Sequence, residues 1–155
     1  MSKTNAVRIL EAAKIAHQTF EYEVNEDELD AVSVADKINA EHEQVFKTLI
    51  ARNDKNENFV FCIPGNCELD LKKAAKASSN KKIEMIKVKE ILPLTGYIRG
   101  GCSPIGMKKL FPTFIDETAQ LFDEIYVSAG MRGMQVKLSP VDLKNLITAW
   151  FADLI

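Results

Sequence analysis

The sequence predicts one α/β (α+β) domain in which helices flank a mixed β-sheet. Short strand and helix patterns are interspersed along the chain, and 155 residues are the length of one domain, so we assign residues 1–155 to it. A hydrophobic share of 46% and a charged share of 27% are typical of a globular protein. The formal net charge of −2 excludes a strongly basic nucleic-acid-binding protein, although not a local basic face.

Apolar periodicity and capping residues define the predicted elements. The first helix has apolar residues at helical spacing, and Thr4 or Asn5 can cap its N-terminus. In the last helix Ser139 is the N-cap, Pro140 takes the first helical position, and apolar residues follow at helical spacing through Leu154. The elements between are a strand over 20–24, a helix over 33–39, a hairpin with arms 45–51 and 59–63, a helix over 71–77 capped by Asp70, a strand over 82–85, a helical turn over 88–92, and strands over 125–128 and 134–138.

The length of the apolar runs and the number of cysteines indicate the cellular compartment. The longest apolar runs have about five residues, whereas a membrane span needs about 20, so we expect no membrane segment and see no secretory signal. Three cysteines in a chain with a full core indicate free thiols in a cytoplasmic protein. Cys62 is expected inside a strand, and its spacing to Cys67 does not suit zinc. We therefore predict neither a metal nor a cofactor.

Lys47 is the one charged residue of segment 45–51. In a strand it shares a face with Val45 and Leu49, and an ammonium among aliphatic neighbours costs free energy unless it reaches water or an anion. Two interpretations are open. Lys47 extends to solvent along a sheet face, or it lies in a cleft and meets a phosphate or a carbonyl oxygen.

The glycine-rich segment 95–106 is the second candidate. Adjacent glycines at Gly100 and Gly101 let the backbone approach a ligand, and their amides can point at an anion or a developing oxyanion. The spacing fits neither a P-loop nor a dinucleotide fingerprint, and a tight surface turn is the alternative. Cys102 in this segment is a conceivable nucleophile. It needs a base, and neither His17, at the end of the first helix, nor His42 has a recognisable partner.

Charge is polarised along the chain. Positions 21–43 hold nine acids and one lysine, whereas positions 71–90 hold seven lysines and two acids. The lysine-rich segment is either a solvated face or a basic surface that attracts an RNA backbone.

Six sequence blocks, taken in order, resemble one family. The blocks are Lys3-Thr4-Asn5-Ala6, Gln44-Val45-Phe46-Lys47-Thr48-Leu49, Glu68-Leu69-Asp70-Leu71-Lys72-Lys73-Ala74, Lys82-Ile83-Glu84-Met85, the whole of 95–106, and Tyr126-Val127-Ser128-Ala129-Gly130. Together they resemble the YbaK/EbsC family of bacterial Cys-tRNA(Pro) and Cys-tRNA(Cys) deacylases. The Gly100-x-x-x-Pro104 pattern is also similar to the editing domain of bacterial prolyl-tRNA synthetases. The resemblance implies a compact mixed sheet, partly barrel-like, with flanking helices.

The resemblance also implies roles for residues. The family lysine maps onto Lys47 and its glycine loop onto Gly100 and Gly101. Lys47 would neutralise the terminal phosphate or polarise the ester, and the amides near Gly101 would hold the carbonyl as it turns tetrahedral. The substrate cysteine thiol would attack its own carbonyl and release the tRNA. The implied pocket residues are Tyr22, Thr48, Cys102, Ser103, Ser128 and Gln135, and the implied tRNA-binding residues are Lys72, Lys73 and Lys76.

The implied partners are the acceptor end of tRNA and, transiently, prolyl-tRNA synthetase, with no membrane and no DNA. Gln135 departs from the family, because some relatives carry Asp there, and the loop around Asp30 lacks an aromatic found in some of them. Either position can line the amino-acid pocket, so a deacylase for alanine or another small residue stays open. Two further alternatives are a non-catalytic tRNA- or synthetase-binding module and a cysteine-dependent hydrolase.

Overall fold

A computed structural model describes residues 3–155, which form a single α/β domain. The helices are α1 (Asn5–Ala12), α2 (Ala31–Lys37), α3 (Leu71–Ala77), α4 (Ile91–Thr95) and α5 (Pro140–Leu146). The strands are β1 (His17–Glu21), β2 (Phe46–Asn53), β3 (Asn58–Pro64), β4 (Ile83–Met85), β5 (Thr113–Asp116), β6 (Ile125–Ser128), β7 (Met134–Leu138) and β8 (Trp150–Ala152). No helix within residues 3–155 has the length and hydrophobicity needed to cross a bilayer.

The strands form two sheets. The larger has the order β4-β2-β3-β5-β8, with β2 antiparallel to β3 and β4, and β5 parallel to β3 and β8. The smaller is antiparallel with the order β1-β7-β6, and a single parallel bridge between Val45 and Tyr126 links the two sheets. The barrel-like part of the expected fold is wrong for the described residues. The larger sheet ends at β4 and β8, and one bridge does not close a ring of strands.

The main hydrophobic core lies between the two sheets. Strand alternation sends Phe46 and Ile50 of β2 to this side, where α1 and α5 also pack. Leu49 and Ala51 alternate to the other face, where a second core forms under α3. The sequence pattern of β2 thus places its residues in two different cores.

Several predicted elements are confirmed by their caps and pairing. The side chains of Thr4, Asp70 and Ser139 accept hydrogen bonds from the first amides of α1, α3 and α5, as the sequence indicates. The antiparallel β2–β3 hairpin matches the two predicted arms. The prediction for His17 is wrong. α1 ends at Ala12, Lys14 takes a left-handed conformation with φ +59°, and His17 begins β1.

The last helix is shorter than its apolar spacing predicts. α5 ends at Leu146, Thr148 has φ +53°, and the chain then adds β8 to the sheet. The cause is a tertiary contact, because β8 pairs with β5, a strand that the sequence pattern did not predict. The Trp150 ring stacks on Phe114 of that strand, with centroids 5.3 Å apart. Pairing with β5 and this stacking override the helical pattern.

Asp116 of β5 connects the C-terminal segment to the sheet by a hydrogen bond. It is fully buried, and its carboxylate accepts hydrogen bonds from the Leu154 amide at 2.9 Å and the Thr118 amide at 3.1 Å. We expect Asp116→Ala to lower the free energy of unfolding by about 3 kcal/mol, because buried amides lose a charged acceptor. Urea denaturation measures this. Asp123→Ala, at an exposed position, is the control and should stay within about 0.5 kcal/mol of wild type.

Candidate active site

A cavity of about 380 Å³ lies beside the unpaired edge of β2. Strand β4 pairs with β2 only from Ala51 to Asn53, so residues 46–50 have no strand on that side. Because the cavity meets an edge rather than a face, consecutive residues of β2 line it, and these include both Lys47 and Thr48. The other walls come from the start of α2, from segment 85–91, from the glycine-rich segment and from the β6–β7 pair.

Six of the predicted site residues line this one cavity. They are Lys47, Thr48, Gly100, Cys102, Ser128 and Gln135. Lys47 is half-buried, and its ammonium donates a hydrogen bond to the Gly65 carbonyl at 3.3 Å. This position favours the cleft interpretation of Lys47 over the solvent-facing one. The cavity therefore combines a cation with a glycine loop and several small polar side chains.

Three other predicted residues lie outside the cavity lining. Gly101 packs against the backbone of the β6–β7 turn, and its amide donates to the Ile98 carbonyl at 3.0 Å. Ser103 is fully buried and accepts a hydrogen bond from the Ile105 amide. Tyr22 follows β1, where its amide donates to Gly133. An amide that already has an acceptor is not available to an oxyanion, so the expectation for Gly101 needs correction.

Gly100 supplies a loop amide at the cavity. It has φ +84°, which suits glycine, and within residues 3–155 its N–H has no acceptor. Arg132 fixes the loop, because its Nε donates to the Arg99 carbonyl at 2.8 Å and lies 3.3 Å from where a Cβ on Gly100 would be. The loop is thus held in a conformation that leaves the Gly100 amide uncommitted.

The floor of the cavity is a pair of polar residues on neighbouring strands. Ser128 of β6 lies directly opposite Gln135 of β7, and both are more than nine-tenths buried. The Ser128 hydroxyl accepts the Gly130 amide at 3.2 Å. Gln135 Oε1 is buried and has no hydrogen-bond partner within the described chain. A buried acceptor without a donor costs free energy, so this oxygen is suited to a donor that a ligand supplies.

The predicted tRNA-binding lysines lie elsewhere. Lys72, Lys73 and Lys76 belong to α3, and none of them lines the cavity. Lys73 is engaged with the C-terminal segment, since it forms an ion pair with Asp153 at 3.2 Å and donates to the Ile155 carbonyl. Lys72 and Lys76 are exposed, and neither forms an ion pair within residues 3–155.

Cys102 of the cavity and Cys62 of β3 are neutral thiols. Burial raises the pKa of Cys102 to about 11, against the opposite effect of a hydrogen bond with Thr95, and burial raises the pKa of Cys62 to about 12. Neither histidine lines the cavity. The His17 ring contacts the Ile15 carbonyl, and His42 has a partner that the sequence did not indicate, Asp36 at 2.7 Å. A cysteine nucleophile with a histidine base is therefore not assembled here.

Two comparisons with known proteins decide the family. The sequence profile of the aminoacyl-tRNA editing domain matches residues 25–146. The chain is also 51% identical over 152 residues to a protein of Enterococcus faecalis provisionally named Cys-tRNA(Pro)/Cys-tRNA(Cys) deacylase EbsC, with 98% of this chain and 93% of that protein covered. The chain belongs to the aminoacyl-tRNA editing family. Its similarity to EbsC places it with the YbaK/EbsC type, as the sequence blocks predict.

The chain is also similar to more distant proteins. A proline–tRNA ligase of Brachyspira hyodysenteriae is 23% identical over 141 residues, which cover 90% of this chain and 24% of the ligase. A crystal structure of a protein provisionally described as a trans-editing enzyme for prolyl-tRNA synthetase superposes with a TM-score of 0.80 at 24% identity, covering 99% of this chain and 98% of that one. The structural likeness supports the fold.

Asp30, in the acidic loop that the family resemblance singles out, lines the cavity beside the α2 N-terminus, where hydrogen bonds from Ser33 lower the pKa of the Asp30 carboxyl. Sequence reasoning missed other residues of the editing-domain cavity. Arg99 lines it from the glycine loop, and its charge within that loop was a usable signal. Met85 and Val88 line it from the lysine-rich segment. Their apolar character was visible, but only the structure shows that this segment borders the cavity.

Thiol labelling tests the neutral state of Cys102. At about pH 8 we expect iodoacetamide to modify the half-buried Cys67 first, since Cys102 has a raised pKa and Cys62 is fully buried. Because thiolate is the reactive form, labelling of Cys102 should rise only as the pH approaches about 11. Peptide mass spectrometry measures the three sites separately. Labelling of Cys102 near neutral pH as fast as Cys67 contradicts this prediction and revives the cysteine-hydrolase hypothesis.

Proposed function

We propose that this editing domain acts in trans to remove cysteine from mischarged Cys-tRNA(Pro) and Cys-tRNA(Cys). The observation that carries the proposal is the cavity where Lys47, Gly100, Ser128 and Gln135 meet and where, within the described residues, no histidine stands beside Cys102. Similarity to EbsC supports the choice of substrate, since that relative is named for these tRNAs. The site suits a reaction in which the protein positions the ester and the substrate supplies the nucleophile.

The proposed reaction starts with the thiol of the bound cysteinyl group. Its sulfur attacks the ester carbonyl carbon, a carbon–sulfur bond forms, and the bond from that carbon to the ribose oxygen breaks. The thiol proton goes to the ribose oxygen, which leaves as the hydroxyl of free tRNA, and water later opens the cyclic thioester. Thiol and carbonyl belong to one molecule, so the protein contributes mainly orientation. Attack by water on the ester is the alternative.

The protein groups act on the charge that develops in this step. The Lys47 ammonium faces either the carbonyl oxygen or the terminal phosphate, and the uncommitted amide of Gly100 supplies a second donor. Lys47 donates only a single bond of 3.3 Å to Gly65, so its other two protons are available to substrate. The resulting site favours negative charge beside the floor of Ser128 and Gln135.

A panel of mischarged tRNAs tests the proposal. Ester loss is followed for tRNA(Pro) and tRNA(Cys) carrying cysteine, alanine, serine or 2-aminobutyrate, which matches cysteine in size but lacks the thiol. We expect cysteine to be released fastest and 2-aminobutyrate at about the background rate if the thiol attacks. Equal release of both assigns the attack to water, whereas faster release of alanine assigns a different substrate. Release of every ester at the rate in buffer overturns the proposed function.

The surface beyond the cavity carries two further proposals. Lys72 and Lys76 of α3 contact the tRNA backbone, and Lys73 adds charge there although it pairs with Asp153.

Prolyl-tRNA synthetase presents the mischarged tRNA to this protein. A partner is needed because a small pocket alone distinguishes amino acids by only about 1–3 kcal/mol. Adding the synthetase to the panel should raise the rate on tRNA(Pro) and leave the rate on tRNA(Cys) unchanged. Equal rates with and without synthetase contradict the partnership.

A further inference from the structure

One wall of the cavity presents apolar side chains to solvent. This wall, residues 85–92, is called the rim. Met85 is 44% exposed and Val88 is 58% exposed, yet both line the cavity. Large apolar side chains that are exposed beside a cavity indicate contact with a ligand that extends out of it.

Charge in the rim is positive after internal pairing. Glu84, just before the rim, lies 3.6 Å from Lys82, and Glu90 lies 2.9 Å from Arg52, so both acids have partners. Lys87 and Lys89 are exposed, and neither is in an ion pair within the described chain. The rim therefore alternates apolar contacts with uncompensated ammonium groups, an arrangement suited to a nucleotide with its phosphates.

The wall formed by the start of α2 has the opposite charge. Asp30 lines the cavity there, and the loop before it carries the exposed acids Glu26, Asp27 and Glu28. Lys37 lies 3.9 Å from Glu28 and offsets one of these charges. A phosphodiester chain is repelled by these acids and attracted by Lys87 and Lys89, so electrostatics favours a path over the rim for a bound RNA strand.

The size of the cavity determines which part of the RNA lies at the rim. A volume of about 380 Å³ is near the lower end of the range for small-molecule pockets, about 300–1,000 Å³. It exceeds what a cysteinyl group needs and accommodates the attached ribose, which leaves the terminal base at the mouth. We propose that Met85 and Val88 contact the terminal adenine of the tRNA, while Lys87 and Lys89 contact the adjoining phosphates. This assignment rests on the proposed function, since it takes acylated tRNA as the ligand.

The test uses uncharged tRNA whose terminal adenine is replaced by 2-aminopurine, which fluoresces more strongly when it leaves its stack on the neighbouring base. We expect binding to raise the fluorescence, and Val88→Ser and Met85→Ser each to weaken Kd about tenfold and to abolish that rise. The matched control is Leu121→Ser, because Leu121 is 79% exposed and lies away from the cavity lining. It should bind and fluoresce like wild type. Thermal melting checks that every variant is folded.

The outcomes separate this inference from the proposed function. Unchanged Kd and fluorescence in both rim variants overturn the rim assignment, even if the mischarged-tRNA panel shows deacylation. Loss of the signal in the rim variants supports it, even if the panel shows no ester loss. If the rim variants instead change only the sedimentation of the protein, the surface is a contact between two copies of the chain and the assignment is wrong.

Discussion

Replacing Lys47 with methionine is expected to lower kcat/KM for deacylation of Cys-tRNA(Pro) by about 100- to 1,000-fold. Methionine keeps most of the aliphatic stem and removes the ammonium, so the cavity retains its shape and loses the cation. Single-turnover deacylation with labelled cysteine measures the effect. A loss confined to kcat places the ammonium at the ester, whereas a rise in KM with a shallower salt dependence places it at the phosphate.

Lys37→Met is the matched control for this change. Lys37 is also half-buried, and its ammonium donates to a backbone carbonyl, that of Glu23 at 3.0 Å, but it does not line the cavity. It should retain the wild-type rate. Lys47→Arg keeps the charge on a larger, planar group and should recover only part of the activity if a point charge is required. A fully active Lys47→Met contradicts the proposed role of Lys47. Release at the background rate by both wild type and Lys47→Met supports the non-catalytic binding module.

The part of the fold that sequence predicts is the part with local signals. Caps at Thr4, Asp70 and Ser139 and the apolar arms of the hairpin depend on neighbours close in the chain, and the structure contains them. Strand β8 fails this rule, because Trp150 has the spacing of a helix and pairs as a strand with β5. Its partner is more than thirty residues away in sequence, and the energy of that pairing is not visible in local pattern.

The candidate site divides in the same way. Lys47 and Gly100 are unusual within their own segments, a lone cation in an apolar strand and a doubled glycine, and the structure brings both to one cavity. The Gly101 amide bonds to the Ile98 carbonyl three residues earlier, which is a contact of the tight-turn alternative that the sequence left open. Asp30 and Val88 become cavity residues through the missing strand beside β2, which is a property of the sheet and not of either segment.

Replacing Gln135 with methionine is expected to move stability and activity in opposite directions. In the free protein Gln135 Oε1 is buried without a donor, so a thioether of similar length should raise the free energy of unfolding by about 1 kcal/mol. The same change removes the acceptor that the aminoacyl group would meet at the cavity floor, and kcat/KM for Cys-tRNA(Pro) should fall by at least about tenfold. Urea denaturation and single-turnover deacylation measure the two effects.

Gln44→Met is the control that shows the effect of removing a polar side chain that serves only the fold. The Gln44 side-chain amide donates to the Glu124 carbonyl at 2.8 Å, away from the cavity, so its removal should lower stability and leave the deacylation rate unchanged. At the cavity itself, replacing a residue that only supports the fold lowers stability and activity together, because the residues packed around it contact the substrate. A buried acceptor that bonds only to substrate lowers the stability of the free protein, and it gains its hydrogen bond when substrate binds. This loss of stability in favour of binding is expected where a site is preorganised. If Gln135→Met lowers both quantities, the Gln135 amide supports the fold, and recognition of the aminoacyl group belongs to Ser128 and the rest of the floor.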